Sequence, residues 1–315
     1  MTSAATDEAR AFNADLEERL GELPPPWSFP IDQVRQARRE GKGVFPPPTF
    51  RDHARWHEID GPTGPIRLRI VAPQTREATG AYLHIHGGGW TLGTADEQDV
   101  RLEELAEATG LAAVSVEYRL APEHPHPAGP DDCEAAARWL LGGGAGELGV
   151  PALFAIGGES AGAHLSALTL LRLRARGEDG FSVANLVFGA FDLSITPSAR
   201  AWGDTNLVLS TPIIEWFGDQ YLPGVGAEER RDPAVSPLYA DLSGLPPALF
   251  TIGTRDPLLD DSLFMAARWA HAGNESELDV IDEAIHAFNY FDLEITRRST
   301  ERQSAFLRAA LGVRR

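Results

Sequence analysis

The sequence predicts an α/β fold: a mostly parallel central sheet flanked by helices. Three observations carry that expectation. Short apolar runs recur at 81–85, 111–116, 152–156, 183–188 and 248–252. Between them lie stretches with apolar residues at helical spacing, such as Leu165, Leu168 and Leu171. Repeated strand–helix units assemble as parallel sheet, and such strands read as continuous apolar runs because both their faces are buried. Third, the chain has 315 residues, 43% of them hydrophobic and 23% charged, which suits a globular protein with a large core.

From the amino terminus, residues 6–20 place Ala9, Phe12, Leu16 and Leu20 on one helical face. Pro24-Pro25-Pro26 and Pro46-Pro47-Pro48 punctuate the next stretch, with a second helix over 31–39 between them. This opening of about 50 residues reads as an appendage. Strands at 53–59 and 66–71 are expected to be antiparallel neighbours. Then come strand 81–85, helix 95–109 stopped by Gly110, strand 111–116, helix 131–141 and strand 152–156. Helix 161–174, strands 183–188 and 248–252, helix 262–271, strand 278–281 and helix 295–311 complete the series. Right-handed crossovers put the carboxyl ends of the strands on one edge, where active sites collect.

The interval 194–230 breaks the alternation. It holds Trp202, Trp216, Phe217 and Tyr221 among helix-like segments. Such an aromatic insertion suits a lid over an apolar pocket. The same aromatics would also serve to pack a small core of the insertion's own.

Two motifs carry chemistry. Gly158-Glu159-Ser160-Ala161-Gly162 directly follows one apolar run and precedes a helix. Strand, sharp turn, helix is the setting in which G-x-S-x-G presents a nucleophilic serine. Its flanking glycines are expected to permit the tight turn and to leave space beside the hydroxyl. His86-Gly87-Gly88-Gly89 follows the run 81–85. A glycine loop there supplies backbone N–H groups to an oxyanion, since no Cβ blocks the approach. The serine motif alone reads equally well as a glycine-rich turn; paired in order with the glycine run it does not.

A serine hydroxyl needs a base to take its proton, and the base needs an orienting carboxylate. Downstream of Ser160 stand three histidines: His164, His271 and His286. His164 lies one turn into the following helix, and His271 ends a helix. His286 follows the last strand on the catalytic edge and is the one well placed. Asp256 follows strand 248–252 on the same edge. Asp260 and Asp261 are nearby rivals that open the next helix and read as caps. Asp282 and Glu283 lie close to His286 but at the strand's end.

Other features exclude functions. The net charge of −18, with no basic stripe, disfavours nucleic acid and anionic membranes. Cys133 is the single cysteine, so no intrachain disulfide forms, and a cytoplasmic location fits. The start Met1-Thr2-Ser3-Ala4-Ala5 carries no signal-peptide pattern, and no stretch is apolar enough to span a membrane. Gly144-Ala145-Gly146-Glu147-Leu148-Gly149 matches a dinucleotide fingerprint but follows a helix and precedes a strand, the reverse of the required context. His53 and His57 have metal-ligand spacing but sit in a strand pattern without the companion glutamate, so no metal is expected.

Over roughly residues 80–310 the chain resembles the hormone-sensitive-lipase-like esterases of the α/β-hydrolase fold. The resemblance rests on His86-Gly87-Gly88-Gly89, Tyr118-Arg119-Leu120-Ala121-Pro122-Glu123-His124, Pro127 with Asp131-Asp132, and the serine motif. It continues through Asp232-Pro233, Ser236-Pro237-Leu238, Leu245-Pro246-Pro247, Asp256-Pro257-Leu258 and His286-Ala287-Phe288. The resemblance implies Ser160, Asp256 and His286 as the triad, with the N–H groups of Gly87, Gly88 and Ala161 as the oxyanion hole. It also implies a cap formed by residues 1–50 and 194–230, over a core of 51–193 and 231–315. The family needs no cofactor or metal. It includes homodimers, and the edge strand 278–281 offers a contact.

The chain departs from the family pattern at Glu159, where many members have Asp, at Ala163 and Ala287, where Gly is usual, and at Trp90, where a smaller residue is common. Trp90, Trp202, Trp216 and Phe288 suggest a compact aromatic pocket for short acyl groups. The expected activity is therefore a carboxylesterase acting on small-molecule short-chain esters. An amidase or deacetylase would use the same residues. A non-catalytic small-molecule receptor on this fold would have lost the histidine that is present here as His286.

Overall fold

Eight strands form one sheet in the order β1-β2-β4-β3-β5-β6-β7-β8. They are β1 (Arg55–Gly61), β2 (Gly64–Val71), β3 (Gly80–Ile85), β4 (Leu111–Glu117), β5 (Phe154–Glu159), β6 (Phe181–Val187), β7 (Ala248–Arg255) and β8 (Ser276–Ile285). The computed structural model describes residues 3–312. β1 and β2 form an antiparallel hairpin, and β2 runs antiparallel to β4. From β4 through β3, β5, β6 and β7 to β8 all pairings are parallel. The antiparallel pair at one side and the parallel remainder match what the sequence predicts.

Strand alternation divides the core between the two faces. Leu83, Ile85 and Ile156 join one apolar cluster, while their neighbours Tyr82 and Ala155 join another. That period of two, with every residue of β3 and β5 buried, is why these strands read as near-continuous apolar runs.

The helices are α1 (Ser3–Gly21), α2 (Ile31–Arg39), α3 (Asp99–Thr109), α4 (Ala128–Trp139), α5 (Ala145–Leu148), α6 (Ala161–Ala175), α7 (Pro197–Trp202), α8 (Thr211–Tyr221), α9 (Leu259–His271) and α10 (Glu294–Leu311). α4 and α6 pack together on one face, whose core also includes Met265 and Trp269 of α9. α3 and α10 pack together on the other, and α1 lies against α10 and β8. α7 and α8 occupy the long interval between β6 and β7, as the sequence pattern implies.

Several boundaries differ from those expected. α3 starts at Asp99 rather than 95, because residues 94–98 are drawn into side-chain bonds: the Ala95 N–H donates to Glu117 at 2.6 Å and the Thr94 hydroxyl to Asp96 at 2.6 Å. α4 starts at Ala128, and Pro130 sits in its first turn, where a missing N–H costs no hydrogen bond. β8 extends well beyond 278–281. It is an edge strand whose Leu278 and Val280 are exposed on either side of Asp279, so its pattern does not read as buried.

Candidate active site

Ser160 stands between β5 and α6 with φ 55° and ψ −119°. For a residue with a Cβ this is sparsely populated backbone, held here by its surroundings. The Ser160 N–H donates to Val187 O of β6 at 2.9 Å, and the His164 N–H donates back to Ser160 O at 3.1 Å. The positive φ falls on the serine and not on the flanking glycines. Their reason is different from the one the sequence suggests. A Cβ on Gly158 would lie 2.0 Å from Ile85 O, and one on Gly162 would lie 1.8 Å from the same oxygen. The elbow is therefore pressed against the end of β3, and only glycine permits that approach.

The loop His86–Gly89 runs from that same end of β3. A Cβ on Gly87 would lie 2.7 Å from Glu159 O and 3.4 Å from the Ser160 Cβ, so this loop passes directly beside the serine. Gly88 has φ +119°, and a Cβ there would lie 2.1 Å from Leu92 O. Gly87 and Gly88 belong to no helix or strand, and Ala161 is the first residue of α6, so its N–H has no intrahelical acceptor.

β7 and β8 deliver the other two groups. The His286 Nε2 lies 3.0 Å from Ser160 Oγ, and its Nδ1 lies 2.8 Å from Asp256 Oδ2. The second carboxylate oxygen, Oδ1, accepts the Leu258 N–H at 2.9 Å. Asp256 and His286 are both buried. Serine, histidine and aspartate thus stand in hydrogen-bond series at the carboxyl ends of β5, β8 and β7.

The rival groups have other partners. His164 accepts the Trp90 indole N–H at Nδ1 (3.0 Å) and lies 2.7 Å from Val235 O through Nε2, so Nε2 carries its proton. Burial pushes its pKa down to about 3, and it serves as a neutral strut. Asp260 and Asp261 do not cap α9. Asp261 accepts the N–H groups of Phe191 and Asp192 and the Thr196 hydroxyl at 2.6–2.9 Å; Asp260 accepts the Ser198 N–H at 2.8 Å. Both tie the start of the insertion to the body of the protein. Burial raises Asp261 to about 7 against those hydrogen bonds. Asp282 lies 3.4 Å from the Thr254 hydroxyl, and Glu283 pairs with Arg10.

A cavity of about 480 Å³ opens over Ser160 and His286. Its walls come from four places: the glycine loop, the N-terminal segment (Leu23, Phe29, Val34, Phe45), the insertion (Val208, Leu209, Ile213, Phe217) and the turns after β6 and β8 (Phe188, Ala287, Tyr290). The four aromatics expected to form this pocket lie elsewhere. Trp90, at φ 58°, turns its ring into the core, where it stacks on Tyr221 at 4.7 Å. Phe288 is fully buried against Phe188. Trp202 donates to Thr205 O and packs on the cluster beneath α1, and Trp216 leans on Phe217, whose ring is the one that reaches the cavity. Helical spacing marks this stretch as helix-like but does not say which of two adjacent aromatics faces the site.

Glu159, beside the serine, is buried and accepts from His84 Nε2 at 3.0 Å and Gln98 Nε2 at 3.1 Å. Burial alone would raise its pKa, but His84, Arg101 and Gln98 outweigh it and bring it down to about 2. A depressed carboxylate stabilises the fold above its unfolded value of 4.5, and that stability disappears as pH falls toward about 2. The full effect is about 3 kcal/mol. Urea unfolding at pH 7 and pH 3 should show the wild type losing more stability on acidification than Glu159→Gln; equal losses would show that Glu159 carries none of it.

Fold and site together define the class: an α/β hydrolase with serine, histidine and aspartate aligned at the carboxyl edge of its sheet. The profile of the alpha/beta hydrolase fold family matches residues 82–290, and the chain belongs to that family, within its hormone-sensitive-lipase-like esterases. It is 35% identical over 301 residues to Carboxylesterase NlhH of Mycobacterium tuberculosis, covering 90% of this chain and 93% of that protein. It is 36% identical over 242 residues to Carboxylic ester hydrolase LipN of the same organism, covering 75% of this chain and 64% of LipN, a little under two thirds of the latter's length. A hyperthermophilic esterase from the archaeon Pyrobaculum calidifontis superposes with a TM-score of 0.87 at 30% identity, over 96% of this chain and 98% of that one. Among the described residues no helix is long and apolar enough to cross a membrane.

Proposed function

We propose that this protein is a serine carboxylesterase that hydrolyses short-chain acyl esters through an acyl-enzyme intermediate. The observation that carries the reading is the hydrogen-bond series Ser160–His286–Asp256, at 3.0 and 2.8 Å, on the floor of an apolar cavity. Ser160 Oγ attacks the ester carbonyl while His286 Nε2 takes its proton. Asp256 holds the Nδ1–H tautomer and stabilises the imidazolium. The N–H groups of Gly87, Gly88 and Ala161 receive the negative charge that develops on the carbonyl oxygen. His286 then protonates the leaving alcohol, and later activates the water that releases the acid and regenerates Ser160.

Residues 1–50 and 194–230 act as the cap in this reading, since both contribute walls to the cavity. The buried Cys133 fits a cytoplasmic location, and the exposed apolar residues Leu278 and Val280 on edge strand β8 fit a homodimer contact.

A p-nitrophenyl ester series from acetate to palmitate tests substrate size. Turnover that depends on Ser160 should peak at acetate or butyrate and fall steeply for palmitate. A maximum at long chains would refute the short-acyl assignment.

A further inference from the structure

We propose that Arg101 is a positioning residue for ester hydrolysis, its one guanidinium tying the turn that carries Ser160 to the turn that carries His286. The inference rests on the reading of those two residues as nucleophile and base. Arg101 projects from α3. Its Nη1–H donates to the backbone carbonyl of Asn289 at 2.6 Å, and its Nη2 stands 3.7 Å from Glu159 Oε1. Asn289 lies three residues beyond His286, in the short turn Phe288–Tyr290, and Glu159 immediately precedes Ser160. Each end of the bridge is thus held within a few residues of a reacting group.

The Glu159 end is held by other groups, and the Asn289 end depends on Arg101. Glu159 is held through its other oxygen by His84 and Gln98, and His84 in turn meets the Ser115 hydroxyl at 2.8 Å. Asn289 is buried, and neither atom of its side-chain amide has a hydrogen-bond partner, so its polar tie to the protein runs through the carbonyl that Arg101 holds.

The strand order shows why such a tie matters. Ser160 follows β5 and His286 follows β8, with β6 and β7 between them. At roughly 4.8 Å per strand the two strands lie about 14 Å apart, and no strand pairing connects their ends directly. Small shifts in two intervening strands would add up in the distance from Oγ to Nε2. A bridge from a helix to both turns constrains that distance independently of the sheet. Arginine suits the task because its rigid planar fork holds separate donors toward two acceptors, whereas an ammonium gathers its three donors on one atom at the end of a flexible stem. Arg101 lines no part of the cavity over Ser160, so it acts through the two turns and not on substrate.

The test compares Arg101→Met, which keeps the stem and removes every donor, with Arg101→Lys. Kinetics on p-nitrophenyl butyrate are normalised to active sites counted with a phosphonate ester that labels the serine. Misplacement of reacting groups predicts a kcat per site lowered roughly 10–100-fold in Arg101→Met with KM unchanged. Arg101→Lys should stay nearer to the Met variant than to wild type. Combining Arg101→Met with Glu159→Gln should cost little more than the larger single loss, because both act through one tie. A wild-type kcat per site in Arg101→Met, whatever its melting temperature, overturns the proposal. So does full restoration by lysine, which also decides the matter where the Met variant does not fold. The parent reading fails separately: wild-type protein without turnover dependent on Ser160 would refute the esterase assignment before Arg101 is tested.

Discussion

Purified Ser160→Ala protein should hydrolyse p-nitrophenyl butyrate roughly 10⁵–10⁶-fold more slowly than wild type, the scale set by removing the serine of a triad. The substitution removes a single oxygen. Alanine and serine meet the same backbone cost at φ 55°, and the Ser160 N–H bond to Val187 O does not involve the side chain. The variant should therefore melt close to wild type, so lost turnover is lost chemistry. What survives is a cavity with its N–H donors, which still orients an ester for attack by water. A folded variant retaining a tenth of wild-type activity would show that another group is the nucleophile.

Asp256→Asn should lower kcat about 10⁴-fold, the cost of presenting the wrong histidine tautomer. The local geometry predicts that tautomer. Asp256 Oδ1 accepts the buried Leu258 N–H while Oδ2 faces His286 Nδ1. An asparagine has one carbonyl oxygen for these two places. Turning it toward Leu258 keeps that buried N–H paired and points the amide N–H₂ at Nδ1. The imidazole must then accept at Nδ1 and carry its proton on Nε2, where it cannot take a proton from Ser160 Oγ. Steady-state kinetics with melting as a control would measure the loss. A variant within tenfold of wild type would remove Asp256 from the series and return Asp282 or Glu283 to consideration.

The groups proposed to react are legible in the sequence because each is fixed by local chain direction. Ser160, the His86–Gly89 loop and Asp256 follow apolar runs, His286 follows the mixed edge strand β8, and in parallel sheet the carboxyl ends of the strands share an edge. The side chains that pack around them are not legible. Trp90 follows three glycines, a place that points toward substrate, yet its positive φ turns the indole toward His164 and Tyr221. Asp260 and Asp261 stand where caps stand, but their partners lie some 60–70 residues away in sequence. The elbow glycines answer to a carbonyl on β3 that is distant in the chain. Arg101 gives no signal, since a lone arginine on a helix reads as surface. In each case the deciding neighbour is brought in by the tertiary fold, which periodicity does not encode.

The walls of the cavity carry a further consequence. The atoms proposed to react sit on the rim of the sheet, at positions tied to strand ends. The surfaces that would touch the rest of the ester come largely from before residue 46 and from 206–217, outside the strands altogether. On the proposed reading, chemistry and selectivity are therefore written in largely separate stretches of chain. Changes at Phe29, Val34, Ile213 or Phe217 would reshape the space offered to a substrate while leaving the strands that hold Ser160, Asp256 and His286 intact. One chemical engine could serve many esters by divergence of its roof alone, and a library confined to that roof is where new selectivity should be sought.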